Sequence, residues 1–306
     1  SLESELLAAP TDVAVDGAGR VYVLDYQFAG VLVLTGPDVS PVLYGSEGEG
    51  PGELKGPVAL SVSDDTIRIV ELGNGRVQVL GADGTYARSY PLPAAFPGNI
   101  SLSPVGLMAV PTQGFREDSL ILIFDADGAP TRRAGEPVVP PHDMWDMTAI
   151  SSAIERGHVP SSLRNMSLPV IEDDGSLWLI LNAEGVVRRY DNEGNVLWSL
   201  TLESPELSAI RESFFIRNRE MGGIGFSPLS YVSDAVVVDG ELWLLLNTPE
   251  ESPVVILAVT GDGSLSRRIR LPHVYDAGDL AVDLSRNRLY LTVPSNASLI
   301  AASLPG

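Results

Sequence analysis

Residues 60–90 read LSVSDDTIRIVELGNGRVQVLGADGTYARSY, a stretch of four short apolar segments separated by polar turns. The segments are rich in Val, Ile and Leu, and β-branched residues favour strands. Asp83-Gly84 is typical of the tight turn that joins the two strands of a hairpin. The stretch therefore predicts a four-stranded antiparallel sheet.

The same unit recurs along the chain. Its second strand occurs in six copies, at 20–24, 66–70, 106–110, 176–180, 241–245 and 288–292. Before each copy lies an aliphatic segment that we interpret as a buried inner strand, at 13–15, 60–62, 100–102, 169–171, 236–238 and 280–282. After five copies a third strand and a Gly- or Asp-containing turn lead into a fourth strand, at 42–44, 88–90, 131–133, 197–199 and 268–270.

The two ends of the chain complement each other. The sixth copy ends after its third strand, at 298–302, whereas residues 2–7 form a strand-like segment ahead of the first unit. If the N-terminal segment supplies the missing strand, six sheets close into a ring without free edges. We therefore predict an all-β fold, a six-bladed β-propeller formed as one domain by residues 1–306.

Two connections between blades are longer than a bare repeat requires. The inner strands of blades 3 and 4 and of blades 4 and 5 are separated by 69 and 66 residues, against 40 to 47 elsewhere. The surplus predicts helical insertions at about 138–165 and 204–229. In the second, Leu207, Ile210 and Phe214 recur at helical spacing, and Ser204 is a candidate N-cap.

Composition excludes several classes of function. Acidic residues outnumber basic ones by 40 to 20, which disfavours nucleic acid and anionic lipid surfaces as partners. The chain has no cysteine, so disulfides and thiolate metal sites are excluded. No apolar run reaches the length of a membrane span, and the first residues do not resemble a signal peptide. A trimmed leader or lipid anchor before Ser1 is compatible with the sequence.

The second unit resembles an NHL repeat. The resemblance rests on the segment GNGRVQVL at 73–80, on the Gly-rich linker at 48–54, and on the strands at 10–16 and 19–23. Over the rest of the chain the pattern is that of propellers in general. NHL-like proteins include protein- and RNA-binding modules, an amidating lyase and extracytoplasmic bacterial proteins. Related propellers of the gluconolactonase and paraoxonase type are calcium-dependent hydrolases.

One position of the repeat gathers polar side chains at the channel mouth. In a propeller the inner strands begin at one face, called the top face, which the connections between blades also cross. One position lies three residues before Val15 in blade 1 and before the equivalent residue in each other blade. In blade order it is occupied by Asp12, Ala59, Asn99, Leu168, Asp234 and Asp279. Converging carboxylates suit a hard cation such as Ca²⁺, whose ligands are oxygens. Asp12, Asn99, Asp234 and Asp279 are therefore candidate calcium ligands, although Asp also caps turns ahead of strands.

The top-face connections supply candidate catalytic and lid residues. His142, His158 and His273 fall in these connections, and histidine is a common general base near neutral pH. The insertions carry large apolar side chains that could cover a pocket, namely Trp145, Met147, Phe214 and Phe215. Channel plugging or support of a dimer is an equal alternative for these helices.

The leading hypothesis is a calcium-dependent hydrolase that acts on a lactone, an aryl ester or an organophosphate at the top-face channel mouth. The alternative is a non-catalytic NHL-like module that binds a protein or glycan there, outside the cytoplasm, in the periplasm or extracellular space of a bacterium. A third hypothesis, the amidating lyase of the NHL group, would need a zinc site built from the histidines.

Overall fold

The computed structural model describes residues 2–3, 7–36, 39–92, 99–115, 118–140, 146–222 and 225–304. The described residues form six four-stranded antiparallel sheets around a central channel. The N-terminal strand is β1 (Leu2–Glu3). Blade 1 consists of β2 (Pro10–Val15), β3 (Val21–Asp25), β4 (Gly30–Leu34) and β5 (Val42–Tyr44). Blade 2 consists of β6 (Pro57–Val62), β7 (Thr66–Glu71), β8 (Arg76–Gly81) and β9 (Tyr86–Pro91). Blade 3 consists of β10 (Ser101–Leu102), β11 (Met108–Pro111), β12 (Ile121–Phe124) and β13 (Pro130–Ala134).

Blades 4 to 6 follow the same plan, with two helices between them. Blade 4 consists of β14 (Ser167–Ile171), β15 (Leu177–Leu181), β16 (Val186–Tyr190) and β17 (Val196–Thr201). Blade 5 consists of β18 (Val232–Val238), β19 (Glu241–Leu246), β20 (Val254–Val259) and β21 (Leu265–Leu271). Blade 6 contains β22 (Asp279–Asp283), β23 (Arg288–Val293) and β24 (Ser298–Ser303). The helices are α1 (Met147–Glu155) and α2 (Pro205–Glu220).

The ring closes through the N-terminal strand, as the sequence predicts. Strand β1 pairs antiparallel with β24, with Leu2 opposite Leu299 and Glu3 opposite Ser298. Blade 6 therefore combines three strands from the C-terminal region with one from the N-terminal region. The prediction of an all-β, six-bladed propeller with this closure is confirmed.

The hydrophobic core lies between adjacent blades. All residues of β3, β15 and β20 are buried, because the second and third strands of a blade have a neighbouring sheet on each face. Trp178 of blade 4 and Trp243 of blade 5 are fully buried in these layers. This two-sided burial explains the continuous apolar runs of the second-strand repeat.

Both helical insertions lie on the top face. Since every blade has four antiparallel strands, the chain enters its inner strand and leaves its outer strand at the same face. Asp146 caps α1 through hydrogen bonds from the N–H groups of Thr148 and Ala149, and Ser204 caps α2 through that of Leu207. Among the described residues, no helix is long and apolar enough to span a membrane.

Candidate functional site in the central channel

The inner strands enclose a channel of about 730 Å³. Its walls are mostly aliphatic, from residues such as Val13, Val170 and Leu280. Its carboxyl groups lie at the two ends: Asp12, Asp234 and Asp279 at the top, and Glu172, Asp173, Asp174 and Asp239 where the inner strands end. Within the described lining there is no lysine, arginine, histidine or aromatic residue.

Local backbone irregularities precede two of the three upper carboxylates. The register of the first strand pair shifts between Pro10 and Asp12 in blade 1, and between Val232 and Asp234 in blade 5. Such bulges re-aim side chains at the rim of a sheet. In blade 6 Asp279 is itself the first residue of the inner strand.

Each upper carboxylate accepts a hydrogen bond from the inner strand of the next blade. The Oδ2 atom of Asp234 accepts the N–H of Leu280 at 2.9 Å, which joins blade 5 to blade 6. The Oδ1 atom of Asp279 accepts the N–H of Val13 at 3.3 Å, which joins blade 6 to blade 1. The Oδ2 atom of Asp12 accepts the N–H of Leu60 at 2.6 Å, which joins blade 1 to blade 2.

The three carboxyl groups influence one another's protonation. Burial raises the pKa of all three, and that of Asp12 is raised further by the charge of Asp234. The charges of Asp234 and Asp12 also raise the pKa of Asp279. Asp279 hydrogen-bonds to both other carboxyl groups, and its bond with Asp234 raises its own pKa while lowering that of Asp234. Asp279 is therefore the member of the cluster that retains a proton most readily.

The fourth candidate ligand reaches the same rim from blade 3. The Nδ2 atom of Asn99 donates to the carbonyl oxygen of Ser233, the residue before Asp234, at 3.4 Å. The structure thus brings Asp12, Asn99, Asp234 and Asp279 together at one end of the channel, where all four contribute to its lining.

This arrangement does not present a ready calcium site. Calcium takes six to eight oxygen ligands, whereas one oxygen of each carboxylate already accepts a backbone N–H. Among the described residues, no three His, Asp or Glu side chains are placed to hold a metal ion. The donor set as arranged does not fit the ion, and these carboxylates would have to turn toward one point to hold it.

The candidate histidines and lid residues that the structure describes lie outside the channel. His158 follows α1, His273 lies between β21 and β22, and both are exposed and absent from the channel lining. His142 and Trp145 are outside the described residues. Met147, the first residue of α1, is exposed.

The two phenylalanines of α2 occupy different environments. Phe214 is fully buried in the core shared by the two helices and blades 4 and 5. The partly buried ring of Phe215 packs edge-on against Phe214, with centroids 5.0 Å apart. Neither ring belongs to the described channel lining.

Two features of the channel were not anticipated from the sequence. Ser101 of blade 3 links to blade 4, since its hydroxyl accepts the N–H of Ile171 at 3.1 Å. The lower end is acidic because Asp173, Asp174 and Asp239 lie in turns after the inner strands. Aspartates in turns usually stabilise the turn itself. Their position in the channel lining becomes visible only when the folded ring brings these turns to the lower end of the channel.

Comparisons with known proteins support the fold. No protein-family model and no curated protein sequence matches the chain. Among solved structures, a streptogramin B lyase is 16% identical, with a TM-score of 0.52 over 99% of this chain and 85% of that one. A catalytically inactive histidine-to-alanine variant of virginiamycin B lyase from Staphylococcus aureus, solved with quinupristin, is 14% identical, with a TM-score of 0.51 over 99% and 86%.

A third similar structure is a putative exported protein from Bacteroides fragilis. It is 11% identical, with a TM-score of 0.55 over 96% of this chain and 82% of that one. Likeness at these identities concerns architecture alone. The chain is a six-bladed β-propeller, and these comparisons bear on that fold alone.

Proposed function

We propose that the protein is a binding module that takes a small molecule with a cationic group into the top mouth of its channel. The observation that carries this proposal is the charge of the described lining, which has carboxyl groups at both ends and no basic residue. A cleft lined by one sign of charge concentrates ligands of the opposite sign. A bound cation would also offset the desolvation of Asp12, Asp234 and Asp279.

Binding is favoured over histidine-dependent catalysis because no described histidine lines the channel. Hydrolysis needs a group that removes a proton from water, within hydrogen-bond reach of the substrate. His158 and His273 are exposed and outside the channel lining. The similar virginiamycin B lyase is inactive when one histidine is replaced by alanine, and no described histidine of this chain lines the channel. Lyase chemistry is therefore not part of the proposal.

A second proposal is the calcium-dependent hydrolysis of a lactone, an aryl ester or an organophosphate in the same channel. Its support is the convergence of Asp12, Asn99, Asp234 and Asp279 at one rim. It requires two further things: the carboxylates must turn toward a single ion, and a top-face histidine must reach the channel.

Thermal unfolding of the full chain distinguishes these proposals. The protein is treated with chelator and then mixed with CaCl₂, MgCl₂, ethylammonium chloride or spermidine, each against NaCl of equal ionic strength. A ligand bound only by the folded state at about 100 times its Kd stabilises by about 2.7 kcal/mol. We expect at least one cation to raise Tm beyond the NaCl control, and Asp234→Asn to reduce this shift. Glu212→Gln, on the exposed surface of α2, is the matched control.

Each result has a defined meaning. A shift with an organic ammonium ion, without turnover of phenyl acetate or a γ-lactone, supports the binding module. A calcium-specific shift with turnover supports the hydrolase. If no cation raises Tm beyond NaCl, or if Asp234→Asn responds like wild type, the channel does not bind cations and both proposals are wrong.

An extracytoplasmic location is a further part of the proposal. It is supported by the likeness to a putative exported protein from Bacteroides fragilis. Fractionation of the producing cells, with immunodetection of the native protein, tests it. Detection in the cytoplasmic fraction alone would contradict it.

A further inference from the structure

A second cavity, of about 170 Å³, opens on the top face between α2 and the loops of blades 5 and 6. One wall is formed by Ile210, Ser213 and Arg217 of α2. The opposite wall consists of residues 247–250, which follow β19, and of Asp276, which precedes β22. The cavity shares no described lining residue with the central channel.

The walls of this cavity carry opposite charges that do not neutralise each other. The guanidinium of Arg217 forms neither an ion pair nor a hydrogen bond with any described residue. The carboxylates of Glu250 and Asp276 are likewise without a described partner. A ligand with a negative and a positive group could satisfy both walls at once.

The cationic wall is held by a rigid element. Ile210, Ser213 and Arg217 are three and four residues apart, which places them on one face of α2. Ile210 is 2% exposed, so this part of the helix is anchored in the core beneath it. Asn218 fixes the end of the helix, because its Nδ2 donates to the carbonyl oxygens of Phe214 at 2.8 Å and Ser227 at 3.0 Å.

One residue of the anionic wall, Asp276, has an unusual backbone conformation. Asp276 has a φ of 53°, in the left-handed region that residues other than glycine rarely adopt. Such a conformation persists only where its surroundings hold it, and it is enriched at ligand sites.

We propose that this cavity binds a small α-amino acid. The α-carboxylate would accept hydrogen bonds from Arg217, whose planar guanidinium suits bidentate pairing with a carboxylate. The α-ammonium group would donate to Glu250 and Asp276. The small volume of the cavity favours an amino acid with a short side chain. This site is separate from the central channel. The amino-acid proposal therefore does not depend on the function proposed for the channel.

Isothermal titration calorimetry of the full chain with L-alanine tests this assignment. Ethylamine and propionate are the comparison ligands, since each lacks one of the two charged groups of alanine. We expect alanine to bind and each analogue to bind about tenfold or more weakly, because hydrogen bonds to charged groups contribute about 1.5–3 kcal/mol each. Equal binding of an analogue would contradict the two-charge assignment, and absence of alanine binding at millimolar concentration would overturn the site.

Matched variants locate the binding. Arg217→Gln should weaken alanine binding about tenfold or more, and so should Asp276→Asn. Arg219→Gln is the control, because Arg219 lies on the same helix but contacts the ring of Phe215, 5.9 Å from its centroid. Arg217 is exposed, so its replacement should not prevent folding, which circular dichroism checks. Equal losses in the Arg217 and Arg219 variants would place binding elsewhere.

Discussion

Asp279 combines a structural and an electrostatic role. Its carboxyl group accepts the N–H groups of Val13 and Leu280 and hydrogen-bonds to the carboxyl groups of Asp12 and Asp234. Burial and these two neighbours raise its pKa in the folded state. At this cluster the folded state therefore binds more protons than the unfolded state, and the stability that the protonated cluster contributes is complete at low pH.

This linkage predicts the effect of pH on stability. The contribution of the cluster should be lost as the pH rises from the unfolded-state value through the raised folded-state pKa. Asp279→Asn should lessen this loss and raise the free energy of unfolding at pH 7, since the amide stays uncharged, accepts the same N–H groups and donates to both carboxylates. Urea unfolding of wild type and variant from pH 4 to pH 8 measures it. Parallel profiles would contradict a raised pKa at Asp279.

Asp279→Ala separates charge from hydrogen bonding. Alanine also removes the carboxylate but leaves the N–H of Val13 without its acceptor. It should therefore lower the free energy of unfolding by about 1–3 kcal/mol relative to Asp279→Asn. Chemical denaturation at pH 7 measures this difference, and equal stabilities would mean that the hydrogen bond to blade 1 contributes nothing.

Glu71 explains why the NHL-like segment carries its particular polar residues. It is fully buried and accepts hydrogen bonds from the side chains of Asn74 at 2.6 Å, Arg76 at 2.8 Å and Gln78 at 3.1 Å, and from the N–H of Lys55. Arg76 and Gln78 also donate to carbonyl oxygens of the preceding linker. The segment therefore holds the connection between blades 1 and 2.

Glu71→Ala should lower the free energy of unfolding by about 3 kcal/mol, the lower end of the range for a buried pair, because it leaves the partly buried guanidinium of Arg76 without its ion-pair partner. Glu49→Ala is the control. Glu49 pairs with Lys55 in an exposed ion pair, and such pairs contribute little. Equilibrium unfolding of both variants measures the contrast, and losses of similar size would refute the central position of Glu71.

The strands and helices follow local sequence signals to different degrees. The predicted inner and second strands all overlap observed ones, because their apolar runs coincide with burial between blades. The second insertion begins at Ser204 as its N-cap pattern predicts. In the first insertion, α1 starts at Met147 behind the capping residue Asp146.

Ser204→Ala should destabilise the protein by about 1 kcal/mol, the usual contribution of an N-cap hydroxyl. The N–H of Leu207 would then lose its side-chain acceptor. Ser208→Ala, inside the same helix, should cost less, since alanine is the better helix former. Thermal unfolding of both variants measures the difference, and an equal or larger effect of Ser208→Ala would argue against the cap.

The whole ring depends on contacts that join distant parts of the sequence. At the face opposite the helices, Arg20, Arg68 and Arg286 each donate to a carbonyl oxygen in a turn of the next blade. Near the top face, Asp25 accepts the N–H groups of Ala8 and Ala9, which fixes these two residues just before β2. The bond from Arg286 to the carbonyl oxygen of Ala18 links the last blade to the first, and the β1–β24 pairing completes blade 6.

Removal of residues 1–7 should therefore open the ring. The edge of β24 would lose its partner, and exposed strand edges promote association. We expect a lower Tm and concentration-dependent oligomers in size-exclusion chromatography with light scattering. Removal of residues 305–306 is the control. A truncated protein that stays monomeric at the wild-type Tm would show that β1 is not needed for closure.

The sequence by itself determined the repeat, the six blades, the closure by the N-terminal strand and the rim position of Asp12, Asn99, Asp234 and Asp279. These follow from local patterns of period, turn chemistry and apolar runs. Only the tertiary structure decided that the three aspartates share hydrogen bonds and raised pKa values, that His158 and His273 lie outside the channel, and that Arg217 and Asp276 line one cavity. Side-chain direction, burial and the meeting of residues from different blades depend on ring geometry, which no local stretch of sequence contains.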